Sequence, residues 1–279
     1  MTNMQALTKF LKVIRWKNVA IFLLLQILLY FVFFNKNFDI SDAWLFLSLS
    51  ILSFGIFGNI QNNILDYELD RNKRNFVAFD KTTYIIWAIL FIIFGFMFGF
   101  ASFYFTFSPT LLYAILIFPL SLSLYNTYLK KLPLIGNIVI ALLTAFAIYV
   151  PVAYAKNIDY QTPTLFFLLI MAFILSLIRE IVKDLEDADT DRQFGYKTLA
   201  IISPRASIIW LGILYLLYFI FLFRYKNNLN EICFYTLLVL STLISVLSIK
   251  FLKDQNYAFT SSLIKIWMIG GLLITLLLS

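Results

Sequence analysis

The sequence is a succession of apolar blocks, each about as long as the hydrocarbon core of a bilayer is thick. A membrane-spanning helix needs roughly 20 mostly apolar residues. Blocks of this kind lie at 19–34, 43–65, 84–107, 109–128, 135–155, 163–182, 206–224, 231–252 and 258–278. Only 13% of the residues are charged, too few to cover a water-facing surface. We therefore predict an all-α integral membrane protein, a bundle of nine transmembrane helices forming one domain over residues 1–279.

The third and fourth blocks are the hardest to separate, because only Ser108 and Pro109 mark a turn between them. Eight spans are therefore an alternative. With nine spans, 17 of the 22 Lys and Arg residues fall on the side of the N-terminus. Positive charge concentrates on the cytoplasmic side of membrane proteins. The N-terminus is thus predicted to be cytoplasmic, and eight spans would break this alternation.

The absence of histidine excludes several kinds of active site. The chain has no His and a single cysteine, Cys233. A Ser-His-Asp triad, a His-ligated zinc or haem and an internal disulfide are therefore excluded. The formal net charge is +7, but the basic residues lie in loops where they set membrane orientation, so nucleic acid is not an expected partner. Any chemistry must use carboxylates, amides, Lys, Arg and Tyr.

A first acidic motif follows the second block. It contains Asn62, Asn63, Asp66 and Asp70. Residues four apart share one face of a helix, so Asn62, Asp66 and Asp70 are predicted to line up. Like charges at this spacing repel each other, and burial near a membrane makes them costly unless they are paired. A cationic partner is therefore expected.

A second acidic motif follows the sixth block on the same side of the membrane. Asp184, Asp187 and Asp191 are spaced to share one helical face, and Arg179 and Lys183 lie four residues apart. Mg²⁺ takes one or two carboxylates and completes its shell with water and substrate phosphates. Two such faces suit Mg²⁺ ions held against a diphosphate. The alternative is a solvated charged loop with ion pairs.

These residues resemble motifs of the UbiA superfamily of intramembrane prenyltransferases. In that family Asn-Asp-x-x-Asp-x-x-x-Asp ends the second membrane helix, and an Asp-rich motif ends the sixth. The matching segments are 62–70, 179–191, 195–199, the loop 129–137 between the fourth and fifth spans, and Arg15-Trp-Lys-Asn18 at the start of the first span. Asn63 departs from the pattern, since it stands where the family has its first Asp.

The resemblance implies a Mg²⁺-dependent enzyme that ionises an allylic polyprenyl diphosphate and alkylates an acceptor. It implies catalytic roles for Asp66, Asp70, Asp184, Asp187 and Asp191. These five residues, with Asn62 and Asn63, are the implied metal ligands. The implied substrate-binding residues are Arg15, Asn18, Lys130, Arg179, Lys183 and Lys197.

Within the superfamily, the 179–187 run is most like the branch that prenylates a glyceryl-phosphate ether lipid at oxygen. The alternative acceptor is an aromatic ring of quinone biosynthesis, of the hydroxybenzoate or dihydroxynaphthoate type. Two other classes stay open, a cation carrier and a non-catalytic membrane scaffold. The expected surroundings are membrane lipids of a bacterial or archaeal cytoplasmic membrane, with the active site on the cytoplasmic side.

Overall fold

The structure is a computed structural model that describes residues 3–33, 42–68, 79–153 and 163–278. All regular elements in these ranges are helices. The α-helices are α1 Asn3–Val13, α2 Trp16–Phe33, α3 Asp42–Leu65, α4 Lys81–Thr106, α5 Pro109–Thr127, α6 Ile135–Ala153, α7 Pro163–Gln193, α8 Leu199–Ile202, α9 Pro204–Arg224, α10 Glu231–Lys253 and α11 Tyr257–Leu278. Two short 3₁₀ turns lie at Leu129–Lys131 and Lys226–Asn228.

Nine of the described helices, α2 to α7 and α9 to α11, are long and apolar enough to cross a bilayer. This confirms the prediction of an all-α fold with nine spans. A bilayer offers no hydrogen-bond partners to the backbone, so a spanning segment that bonds internally as a helix is favoured. The largest difference from the predicted bounds is α7, which continues from the apolar stretch to Gln193. The cytoplasmic placement of the N-terminus stays a prediction.

The boundary between the third and fourth spans is a defined helix end. Phe107 adopts φ 50°, and its N–H donates to the Phe103 carbonyl at 2.7 Å. A left-handed residue of this kind is a common way to end a helix. Pro109 then begins α5, where its missing N–H costs nothing. The turn therefore separates two helices and removes the eight-span alternative.

Helix α4 begins with a side-chain cap. Asp80 accepts hydrogen bonds from the Thr83 hydroxyl and, at 3.1 Å, from the Thr83 backbone N–H. These hydrogen bonds stabilise the charged form and hold the pKa of the Asp80 carboxyl below its ordinary value. The cap gives Asp80 a structural role at a helix start, which explains why this acidic residue stands apart from both acidic motifs.

The chain divides into two compact units. The first comprises Met1–Thr127 with Val150–Ile158, and the second Tyr128–Tyr149 with Asp159–Ser279. The prediction of a single domain is not tested by this division. Each acidic motif lies in a different unit.

In the first unit, α3 and α4 approach closely at small residues. The Ser50 hydroxyl donates to the Gly95 carbonyl at 2.7 Å, and Ser102 donates to the Ala43 carbonyl at 2.8 Å. A Cβ added at Gly95 would lie 2.4 Å from the ring of Phe54. Small residues and hydroxyls of this kind let membrane helices pack closely and bond across their interface. This packing fixes α3, which ends in the first acidic motif.

In the second unit, α7 packs against α9 and α11, and α10 packs against α11. A buried polar chain links three of these helices: the Trp267 indole N–H donates to Ser241 at 3.0 Å, and Ser241 donates to the Tyr218 hydroxyl at 2.9 Å. The side chains are 0 to 1% exposed, so their polar atoms are satisfied within the protein. These hydrogen bonds favour one arrangement of α9, α10 and α11.

We expect Gly95→Ala to destabilise the protein relative to Gly55→Ala. The added methyl at Gly95 must displace the buried ring of Phe54, whereas at Gly55 it meets no atom within 4 Å. Overpacking of this kind costs about 1–3 kcal/mol, and both variants share the same gain in helix propensity. Thermal unfolding in detergent should show a lower Tm for Gly95→Ala. Equal Tm values would contradict the close packing of α3 on α4.

Candidate functional site

The first acidic motif lies at the end of α3. The Asp66 N–H donates to the Asn62 carbonyl at 2.9 Å, so the helical turn continues past Leu65 and places Asn62 and Asp66 on one face. Both side chains are half-buried, whereas Glu68 is exposed. Asp70 lies outside the described residues. The predicted alignment is therefore present for two of its three members, and that of Asp70 stays a prediction.

An amide network fixes the end of α3 against α5. The Asn126 side chain donates to the Gly58 carbonyl at 2.9 Å and to the Gln61 side-chain oxygen at 3.1 Å. Gln61 in turn donates to the Ser123 hydroxyl at 3.2 Å. Asn126 is buried, so these bonds are shielded from water. Gln61 directly precedes the motif, and neither amide was expected from the sequence.

Arg15 and Asn18 lie at the break between α1 and α2. Arg15 has φ 55°, and the Asn18 N–H donates to its carbonyl at 2.8 Å. Both side chains are exposed. Asn63, the departure from the family pattern, directs its side-chain N–H₂ at the Val13 carbonyl, 3.5 Å away. The break thus lies beside the first motif within the first unit.

The second acidic motif is carried by the C-terminal part of α7. Because the helix continues to Gln193, Asp184, Asp187 and Asp191 share one face, as their spacing predicts, and all three are half-buried. Glu186 is exposed, and the Asp189 side chain is 98% exposed. The helix therefore separates three partly shielded carboxylates from two solvated ones.

Asn137 orients one of these carboxylates. Its side-chain N–H₂ donates to Asp184 Oδ2 at 2.9 Å, and Asn137 is 6% exposed. The amide is a neutral donor, so it orients the carboxylate without forming an ion pair with it. Asn137 was not among the predicted site residues. Its only signal in the sequence was its place at the end of the 129–137 segment that resembles the family.

The loops that flank the second motif are tied together and are basic. The Lys197 N–H donates to the Lys131 carbonyl at 3.1 Å, which joins the turn at 129–131 to the loop after α7. The ammonium groups of Lys130 and Lys131 lie 5.9 and 5.4 Å from the ring centre of Tyr196, within cation–π range. The structure therefore joins the loops that carry Lys130 and Lys197, two predicted substrate-binding residues.

Gly136 permits the turn that carries these lysines. A Cβ at Gly136 would lie 2.6 Å from the Leu129 carbonyl oxygen and 2.8 Å from the Lys130 Cα. Both are backbone atoms, so a side chain there would displace the turn. Leu134 has φ 61°, a conformation that L-residues rarely adopt. The loop is thus shaped to hold Lys130 close to the start of α6.

Arg179 forms an ion pair with the adjacent Glu180. Its guanidinium donates to Glu180 at 2.5 Å, which compensates the charge of a side chain buried in α7. In the described part of the second unit, Arg179 Nε and the Thr198 hydroxyl are buried without a hydrogen-bond partner. Buried polar atoms are normally satisfied. Each of these two groups can still donate one hydrogen bond.

The donor set suits magnesium. Within the described residues no three His, Cys, Asp or Glu side chains converge into a metal cage. Mg²⁺ does not require one, since it takes one or two carboxylates with waters and substrate phosphates. Asp184 and its helical neighbours supply hard oxygen ligands, and the nearby Lys and Arg groups suit phosphate oxygens. The second motif therefore fits a Mg²⁺–diphosphate complex.

Comparison with known proteins agrees with this chemistry. The family model described as "UbiA prenyltransferase family" matches residues 18–269. Digeranylgeranylglyceryl phosphate synthase of Thermococcus gammatolerans is 36% identical over 154 residues, which cover 53% of this chain and 52% of that one. The chain thus spans about half the length of the curated relatives it matches.

Solved structures share the fold over nearly the whole chain. A structure of digeranylgeranylglyceryl phosphate synthase superposes with a TM-score of 0.72 at 24% identity and covers 98% of both chains. A UbiA homologue from Archaeoglobus fulgidus, solved with DMAPP and Mg²⁺, gives a TM-score of 0.63 at 14% identity, covering 95% of this chain and 99% of that one. At these identities the likeness establishes the fold.

We expect Asn137→Asp to destabilise the second unit more than Asn137→Ala does. Alanine removes one hydrogen bond, which costs about 1 kcal/mol, whereas aspartate also places a second carboxylate against Asp184. Thermal unfolding in EDTA measures the difference, with Asn227→Asp, at an exposed site, as the control. If Asn137→Asp unfolds at the parental Tm, the Asn137–Asp184 hydrogen bond does not contribute to the stability of the protein.

Proposed function

Because the chain belongs to the UbiA prenyltransferase family, we propose that it transfers a prenyl group from an allylic polyprenyl diphosphate to an acceptor in the membrane. The observation that carries the proposal is the second motif. It combines a face of three half-buried carboxylates, one of them fixed by Asn137, with two joined loops that carry Lys130, Lys131 and Lys197. This combination suits a metal-bound diphosphate better than a solvated charged loop.

We propose the following roles for the residues of the two motifs and their loops. Asp184, Asp187 and Asp191 bind Mg²⁺ at the second motif, and Asn62, Asp66 and Asp70 bind it at the first. When bound, Mg²⁺ supplies positive charge that stabilises the departing pyrophosphate. The basic residues donate hydrogen bonds to the phosphate oxygens, where negative charge develops as the C–O bond breaks. The proposed diphosphate donors are Lys130, Arg179 and Lys183. Lys197 in the second unit and Arg15 and Asn18 in the first are further proposed substrate-binding residues.

The acceptor we propose is a glyceryl-phosphate ether lipid. Relatives 28 to 36% identical over part of their length are named digeranylgeranylglyceryl phosphate synthase. In the proposed reaction the C–O bond of the donor breaks first, which releases pyrophosphate and leaves an allylic cation. The acceptor hydroxyl oxygen then bonds to the cationic carbon, and its proton passes to the released pyrophosphate. The surrounding spans are rich in Phe and Tyr, whose ring faces can stabilise a cation. The donor and acceptor both approach from membrane lipid, and we place the reaction on the cytoplasmic side.

The family membership favours an enzyme over the cation carrier. The acidic motifs also lie at the ends of α3 and α7, whereas transporters hold ions near the membrane midplane on broken helices. A non-catalytic scaffold would leave the Asn137–Asp184 pair and the lysine-bearing loops without a purpose. The first test is therefore for catalysis.

Purified protein with Mg²⁺ and radiolabelled geranylgeranyl diphosphate should prenylate geranylgeranylglyceryl phosphate. An oxygen acceptor of this kind should be used in preference to 4-hydroxybenzoate or dihydroxynaphthoate, which are alkylated at ring carbon. Product is separated by chromatography from each reaction. Transfer to an aromatic acceptor alone would overturn the choice of acceptor, and no transfer to any acceptor would overturn the proposed activity.

Asp66→Asn and Asp184→Asn should each lower kcat by at least about 100-fold, since each removes a charge that binds Mg²⁺ against the diphosphate. Asp189→Asn is the matched control, because Asp189 lies on α7 but its side chain is 98% exposed. It should retain parental turnover. Full activity in either Asp66→Asn or Asp184→Asn would refute a reaction that depends on both motifs.

A further inference from the structure

We propose that Asn59 and Asn63 form an amide clamp that holds the end of α1 on α3, and that Asn63 is a positioning residue instead of a metal ligand. The proposal goes beyond the proposed function. It concerns contacts within the first unit, and it accounts for the amide found where the family pattern has its first carboxylate.

The clamp acts where the backbone leaves helical geometry. In a continuing helix the Asn18 N–H would donate to the Ile14 carbonyl, four residues earlier. It donates instead to the Arg15 carbonyl at 2.8 Å, and Arg15 has φ 55°. The break therefore withdraws the usual donors from the last carbonyls of α1, and Val13 and Ile14 need partners from elsewhere.

Asn59 and Asn63 supply those partners. They lie four residues apart on α3 and so share one face. The Asn59 side-chain N–H₂ donates to the Ile14 carbonyl at 3.3 Å, and that of Asn63 donates to the Val13 carbonyl at 3.5 Å. Two neighbouring side-chain amides thus donate hydrogen bonds to two consecutive backbone carbonyls. One long bond alone would be weak, but the paired arrangement fixes both the position and the direction of the chain at the break.

The surroundings shield the clamp from water. Val13 and Ile14 are 4% and 8% exposed. They belong to a buried cluster that also contains Ile56, Phe57, Ile60, Tyr84 and Ala88, from α3 and α4. In such surroundings a hydrogen bond is stronger than in water, and a carbonyl left unpaired is costly. The apolar contacts dock α1, and the two amides satisfy the polar groups that this docking buries.

The clamp requires an amide at position 63. A carboxylate has no N–H to donate, so aspartate at Asn63 would point lone pairs at the Val13 carbonyl oxygen. The two groups would repel each other at the distance at which the amide bonds. The chemistry of the contact therefore selects Asn over Asp at this position, whatever the neighbouring Asn62 and Asp66 bind.

Docking α1 also determines where Arg15 lies. Arg15 follows Ile14 directly, and Asn63 lies between Asn62 and Asp66 in the chain. The clamp therefore joins the break to the first motif. One consequence rests on the proposed function. If Arg15 contacts the diphosphate, loss of the clamp weakens binding of the prenyl diphosphate more than it slows turnover.

The main test measures docking of α1 without using activity. Proteolysis acts on locally opened chain, so undocking of the N-terminal helix from α3 should speed tryptic cleavage after Lys9, Lys12, Arg15 or Lys17. In nanodisc-embedded protein, Asn63→Asp should be cut about tenfold faster than the parent, because it loses a shielded bond and gains a repulsion. Asn63→Ala and Asn59→Ala should be intermediate. Asn227→Asp, at an exposed site in the second unit, should match the parent.

Steady-state kinetics provide the second test. Asn63→Asp should raise the KM for the prenyl diphosphate several-fold with a smaller change in kcat, and the Mg²⁺ concentration for half-activity should not fall. Parental cleavage rates in Asn63→Asp and Asn59→Ala would overturn the clamp. A lowered Mg²⁺ requirement in Asn63→Asp would show instead that position 63 binds metal. If the parent lacks transferase activity, the proposed function fails while the cleavage test still decides on the clamp.

Discussion

The structure depends on the inability of a bilayer to hydrogen-bond the backbone. Every spanning segment must satisfy its own N–H and C=O groups, which makes helices the outcome of apolar sequence in this solvent. Polar side chains inside the bundle then bond to backbone or to one another, as Ser50 does with Gly95 and Trp267 does with Ser241. The carboxylates of the two acidic motifs lie in the C-terminal parts of their helices or just beyond them.

The two acidic motifs follow from that constraint. A carboxylate near the end of a span can remain charged and still stand on a rigid element. In α7 the helix continues to Gln193, so Asp184, Asp187 and Asp191 are held at fixed spacing beyond the apolar part of the span. In α3 the helical turn that continues to Asp66 holds Asn62 and Asp66 at a fixed spacing in the same way. Rigid placement matters because metal and phosphate ligands act only when their geometry is preset.

Neutral amides form hydrogen bonds at or beside both acidic motifs. Asn137 fixes Asp184, and Asn126 with Gln61 fixes the end of α3. The proposed role of Asn63, at the break beside Arg15, is of the same kind. An amide donates a hydrogen bond without adding charge, so it can position a carboxylate or a backbone carbonyl and leave the local electrostatics to the cation and the substrate.

The sequence by itself determined the class of fold and the two motifs, because both are local. Apolar length specifies a membrane helix, and the spacing of Asp184, Asp187 and Asp191 specifies a shared face wherever the helix continues. Only the tertiary structure decided which residues contact the two acidic motifs. Asn137 lies 47 residues from Asp184, and Gln61 lies 65 residues from Asn126. No local pattern records such pairs, since they arise when separate helices pack. The helix end at Phe107 and the pairing of Asn63 with Val13 were decided in the same way, by backbone geometry that residue spacing does not encode.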